Sequence, residues 1–78
     1  MELKRGLAVI SRAGNDKNGI FVVTGIDGNF VFLVDGKKRK LENPKKKNIK
    51  HIVMTKKSAT SADLESNASI RHFLKEIR

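Results

Sequence analysis

The apolar positions of the first 36 residues fall into three short runs separated by turn chemistry. Leu7 to Ile10 is apolar and bounded by Gly6 and by the polar stretch from Arg12 to Gly19, so it reads as a short buried strand. Ile20 to Ile26 is rich in β-branched and aromatic residues and ends at Asp27-Gly28. Phe30 to Val34 ends at a second such dipeptide, Asp35-Gly36. Asp-Gly suits the two positive-φ positions of a type I′ hairpin turn, so two of them flanking one strand predict a three-stranded antiparallel meander turning at Gly28 and Gly36. The next strand then covers Lys38 to Leu41. Pro44 interrupts it, and Ile49, Ile52 and Val53 predict a fifth short strand.

Five short strands with tight turns within about 55 residues suit a small barrel better than a sandwich, which wants about seven. The expected fold class is mainly β: a small antiparallel barrel of about five strands with a short C-terminal helix. Its expected core is Leu7, Val9, Ile10, Phe21, Val23, Phe30, Phe32, Val34, Leu41, Ile49 and Ile52, with faces unassigned because continuous apolar runs hide the period-2 signal. The barrel takes 1–55, and 56–66, rich in Lys, Ser, Ala and Thr, reads as a linker. The remaining residues, 67–78, regain periodicity: Ile70, Phe73, Leu74 and Ile77 have helical spacing, and Asn67 is placed to cap a helix over 68–77. So short a helix needs a surface to dock on. That surface is either the barrel of the same chain or another protein.

Charge changes this picture. Of 78 residues, seventeen are Lys or Arg and eight Asp or Glu, a formal charge of +9. Residues 1–36 and 58–78 each balance, so the whole excess sits in 37–57. There Lys37, Lys38, Arg39 and Lys40, then Lys45, Lys46 and Lys47, then Lys50, Lys56 and Lys57 face only Glu42. Such density attracts a polyanion, and nucleic acid is the commonest in a cell. The alternative is a solvated, solubilising face, although mixed charges serve solubility equally well.

Other chemistry is sparse. With no cysteine, disulfides and thiolate metal sites are excluded. His51 and His72 lack further ligands at metal spacing. The acids form no paired-carboxylate or Ser-His-Asp pattern, so neither catalysis nor a cofactor nor a small-molecule substrate is expected. The longest apolar runs, about five to seven residues, fall short of the roughly 20 of a membrane helix. No secretory signal pattern opens the sequence, and a cytoplasmic location without membrane partners is the expectation. The loop Gly14-Asn15-Asp16-Lys17-Asn18-Gly19 looks like a phosphate cradle but lacks the Gly-Lys-Ser/Thr ending and leads into a strand, so it reads first as a turn and second as a backbone contact to phosphate.

Around this loop, Gly6, Val9, Ile10, Ser11, Gly14, Asp16, Lys17, Asn18-Gly19, Phe21 and Val23 resemble the KOW motif of ribosomal proteins and transcription elongation factors. With Val34-Asp35-Gly36, Pro44-Lys45-Lys46-Lys47, His51-Ile52 and Thr55, the chain from about 4 to 55 is similar to small bacterial KOW-domain RNA-binding proteins related to a large-subunit ribosomal protein family of archaea and eukaryotes. The resemblance implies an SH3-like barrel that contacts structured, usually ribosomal, RNA through its loops and basic strands. Asn18 stands where the family usually has glycine, and Asn15 where related bacterial sequences often carry a base.

The functional expectation is therefore an RNA-binding module that reads backbone and shape. Its contacts are Arg12, Lys17, Lys37, Lys38, Arg39, Lys40, Lys45, Lys46, Lys47 and Lys50, on turns made by Gly14, Gly19, Gly28 and Gly36. With no Tyr or Trp and the phenylalanines assigned to the core, no stacking platform for single strands is expected. Two alternatives remain: an adaptor docking on ribosomal or other translation or transcription proteins, with the basic segment only steering association, and DNA binding.

Overall fold

The three apolar runs form strands β1 (Leu7–Ser11), β2 (Ile20–Asp27) and β3 (Phe30–Val34) in a computed structural model that describes residues 2–78. Two further strands, β4 (Lys45–Asn48) and β5 (Ile52–Ser58), complete one antiparallel five-stranded sheet ordered β4-β3-β2-β1-β5. A single 3-10 turn at Ile49–His51 joins the two edge strands, so the sheet curls into a small barrel-like unit. Helix α1 (Asn67–Ile77) follows. Among the described residues no helix is long and apolar enough to cross a membrane.

Both faces of the sheet are apolar, which is why the sequence shows continuous runs in place of alternation. Leu7, Val9, Phe21, Val23, Val31 and Leu33 point inward as one cluster, closed by Leu3, Ile49 and Ile52. Ala8, Val22 and Val34 point outward and meet Leu64, Ile70 and Leu74 in a second. The helix therefore docks on its own barrel. Leu64, Ile70 and Leu74 are buried, and each contributes roughly 1.5–3 kcal/mol of apolar transfer.

Several expectations need correction. No strand forms at Lys38 to Leu41; the fourth strand is the lysine cluster itself, and Pro44 precedes it without breaking anything. Only the first Asp-Gly makes a two-residue hairpin. Asp27 pairs with Phe30, and Gly28 alone takes a positive φ of 60°, the sign pattern of a type II′ loop and not of type I′. At the second, Asp35 Oδ1 accepts the N–H groups of Lys37 and Arg39, each at 2.9 Å, and the chain departs into a longer loop. Ile49 lies in the 3-10 turn, and β5 starts after it. Lys56 to Ser58, expected in the linker, extend β5, and Leu64 in the same stretch is buried. The helix N-cap is Ser66, whose hydroxyl accepts from Ser69 N while Ser69 Oγ accepts from Ser66 N. Asn67 ties the helix to the β3–β4 loop: its Oδ1 accepts from Leu41 N at 2.8 Å and its Nδ2 donates to Glu42 Oε1 at 2.7 Å.

Phe30 and Phe32 are not core residues of the kind expected. A bulge between Val23 and Gly25 shifts the β2–β3 register, and Val31 and Leu33 take the inward positions. Phe30 is 38% exposed and Phe32 half-buried on the outer face, beyond the cover of the helix. Between β1 and β5 the register also slips, from Leu7↔Ser58 to Val9↔Met54. There the Thr55 hydroxyl donates to the Ala8 carbonyl at 2.7 Å, supplying a bond inside the irregular stretch.

Candidate nucleic-acid interface

Strand alternation sorts the lysine triplet. Lys45 and Lys47 pair with the buried residues Leu33 and Val31 and share their face, while Lys46 pairs with Phe32 and faces outward. Lys47 is 8% exposed, and its ammonium donates to the Ala13 carbonyl at 2.8 Å, its stem lying along the apolar interior. Lys47, expected as an RNA contact, is instead a strut between β4 and the loop after β1. Lys45 is half-buried. Lys46 is exposed, with its nitrogen 4.7 Å from the Phe30 ring centroid.

Arg39 is likewise engaged within the protein. Its Nη2 donates to Asp16 Oδ2 at 3.4 Å, and the Asp16 side chain is only 10% exposed. The Arg39 Nε is buried without a partner. This pair fastens the β3–β4 loop to the 3-10 turn Gly14–Asp16. The Lys17 loop and the Lys37-Lys38 segment line one cleft, together with Asn15, Asp16, Gly19, Phe21, Asp35 and Arg78. Lys17, Lys37 and Lys38 are all exposed there, and among the described residues none is paired with a carboxylate. Asn18 holds the left-handed conformation itself, at φ 71°, so the turn forms where the resembling family has glycine. Gly19 has an ordinary φ and is small for another reason: a β-carbon would meet the Phe21 ring at 2.9 Å.

The remaining expected contacts lie apart from this cleft. Arg12 and Lys50 are exposed beside the backbone bond from Arg12 N to His51 O, and Lys40 is exposed on the β3–β4 loop. Thus the ten bases separate into a cleft group (Lys17, Lys37, Lys38), Lys46 on the outer face of β4, half-buried Lys45 on its opposite face, scattered exposed cations (Arg12, Lys40, Lys50), and two that work inside the fold (Arg39, Lys47). His72 is exposed and lies 3.7 Å from Glu76. Among the described residues, no three metal-ligating side chains come together.

Phe30 escaped the sequence reading. The available signal was Gly25, a glycine inside a strand, which marks bulges and the register changes they bring. The exposed aromatic with a lysine above it gives the outer face one stacking-capable ring. The chain matches neither any protein-family model nor any curated protein.

Proposed function

We propose that this chain is an RNA-binding module of the KOW type, working in the cytoplasm on structured RNA, with ribosomal RNA as its candidate target and no catalytic step of its own. The observation that carries this reading is the cleft where Lys17, Lys37 and Lys38 converge, exposed and free of carboxylate partners, at the edge of a segment holding all of the net charge. Lysines at that density neutralise phosphates and release condensed counterions, whatever the base sequence. The residues that resemble the KOW motif supply the loop bearing Lys17 and give this reading its second support.

Titration of a hairpin-containing ribosomal RNA fragment at several salt concentrations tests the proposal. Log K should fall with log salt by roughly 0.7–0.9 per phosphate engaged. The expected slope corresponds to three or more contacts, and Lys17, Lys37 and Lys38 changed together to Gln should flatten it. No binding at low salt overturns the reading. An adaptor role has different support: Val53 and Met54 are 38% and 44% exposed on edge strand β5. Because α1 uses its apolar stripe on the barrel, such a partner would meet exposed strand residues, Val53 and Met54 on β5 or Ile26 and Phe30 on the β2–β3 hairpin.

A further inference from the structure

In sequence, the terminal segment is charge-balanced, with Arg71, Lys75 and Arg78 against Asp63, Glu65 and Glu76. In three dimensions the signs separate. Asp63 accepts from Thr60 N in the turn before the helix, and Glu76 lies beside His72. Arg71, Lys75 and the C-cap residue Arg78 are four and three residues apart, a spacing that puts them on one helix face. That face meets the β3–β4 loop, where all three line a cleft with Lys37, above Leu74 and Ile20.

This cleft adjoins the one described above. Lys37 and Arg78 line both, so Lys17, Lys37, Lys38, Arg71, Lys75 and Arg78 surround a continuous depression. Two carboxylates border it against these six cations, and Asp35, which lines both clefts, keeps its negative charge. Asp16 holds Arg39, and Asp35 accepts two backbone N–H groups. Arg71 donates one nitrogen to the Gly36 carbonyl, which fixes its guanidinium at the rim and leaves further donors free. The negative end of the helix accounts for one or two cations here, but not for their convergence with lysines from two loops.

We propose that the C-terminal helix contributes a second row of phosphate contacts, Lys75 and Arg78 with Arg71, which extends the RNA footprint from the Lys17–Lys37–Lys38 cleft along the helix. This inference rests on the RNA-binding reading and adds residues that the charge count had set aside. Neighbouring phosphates of an RNA strand lying in this depression would then be held by loop lysines on one side and by helix cations on the other.

The test compares the whole chain with K75Q/R78Q and with K37Q/K38Q, all titrated with the same ribosomal RNA hairpin across a salt series. Arg71 is left in place because it anchors the loop. K75Q/R78Q is expected to weaken binding several-fold and to reduce the slope by about one to two units, with an unchanged circular dichroism spectrum. Amide shifts of residues 71–78 in the unmodified protein on adding RNA give a readout independent of any variant's folding. Wild-type slope and unshifted helix amides, alongside a flattened slope in K37Q/K38Q, would overturn the helix surface while leaving RNA binding intact. Absence of binding by the unmodified chain would overturn both. Tighter binding of poly-glutamate than of RNA, with the same dependence on Lys75 and Arg78, would also overturn it by reassigning the surface to an acidic protein.

Discussion

Gly36 packs its α-carbon directly against the backbone carbonyl of Asn67, so that the end of β3 and the start of α1 touch with no side chain between them. Gly36 has φ 75°, and a β-carbon there would collide with that carbonyl oxygen. Gly28 has a similar φ of 60° but open space around it. Gly36→Ala should therefore cost more than about 3 kcal/mol, and Gly28→Ala only the left-handed penalty of about 1–2 kcal/mol. Urea melts of the two variants check this, and equal losses would show that the helix does not press on Gly36.

Lys46 and Lys47 are neighbours with opposite tasks. Lys47→Met removes the stronger of two donors to the Ala13 carbonyl, the Ser11 hydroxyl at 3.2 Å remaining, and should destabilise the fold by about 0.5–1.5 kcal/mol, the net worth of one hydrogen bond. Lys46→Gln should leave stability within about 0.5 kcal/mol and reduce the RNA salt slope by roughly 0.7–0.9. Thermal melts paired with salt-series titrations separate the two effects. A large stability loss in Lys46→Gln would mean that its position over Phe30 matters to the fold.

Arg39→Gln breaks the link to Asp16 by removing the charge and shortening the side chain, while keeping it polar. A partly exposed pair of this kind is worth about 1 kcal/mol, so the loss in stability should be of that size and smaller at high salt. Hydrogen exchange at Lys17 N and Gly19 N, which bond to Gly14 O and Asp16 O, should accelerate more than exchange in β2. Uniform acceleration would indicate that the pair supports the whole domain and not the loop.

Leu74→Ala should cost about 2–5 kcal/mol by leaving a cavity between α1 and the outer face of the sheet. If the proposed second row is correct, the same variant also lowers RNA affinity, because Lys75 and Arg78 lose their fixed position. Calorimetric melting and titration below the new midpoint check both parts.

The sequence reveals β1, β2 and β3 because their apolar and β-branched content is dense and punctuated. It conceals β4, since Lys45–Asn48 contains no apolar side chain and becomes a strand only through its pairing with β3. Asp27-Gly28 and Asp35-Gly36 look alike in one dimension. What separates them is Asn67, packed on the second loop from more than thirty residues downstream. The charged segment is likewise visible as a segment, but which bases remain free depends on strand parity for Lys47 and on a loop-to-loop contact for Arg39. The helix cations are invisible to a count by segment, which averages over sides of a helix that face different surroundings.

β1 lies between β2 and β5, and its partners on β5 come about forty to fifty residues later in the chain. The β2–β3 hairpin, by contrast, closes across two residues. Loop closure over the longer distance is entropically unfavourable before any contact compensates, so the hairpin is expected to form before the β1–β5 seam. Changes at that seam should then act on escape from the native state and not on entry into it. Thr55→Ala, which deletes the hydroxyl bonded to Ala8, is expected to raise the unfolding limb of the chevron and leave the folding limb unmoved. On that outcome the lifetime of the folded domain, and with it the time the loops stay assembled, is set by a strand that lies outside the loop cleft.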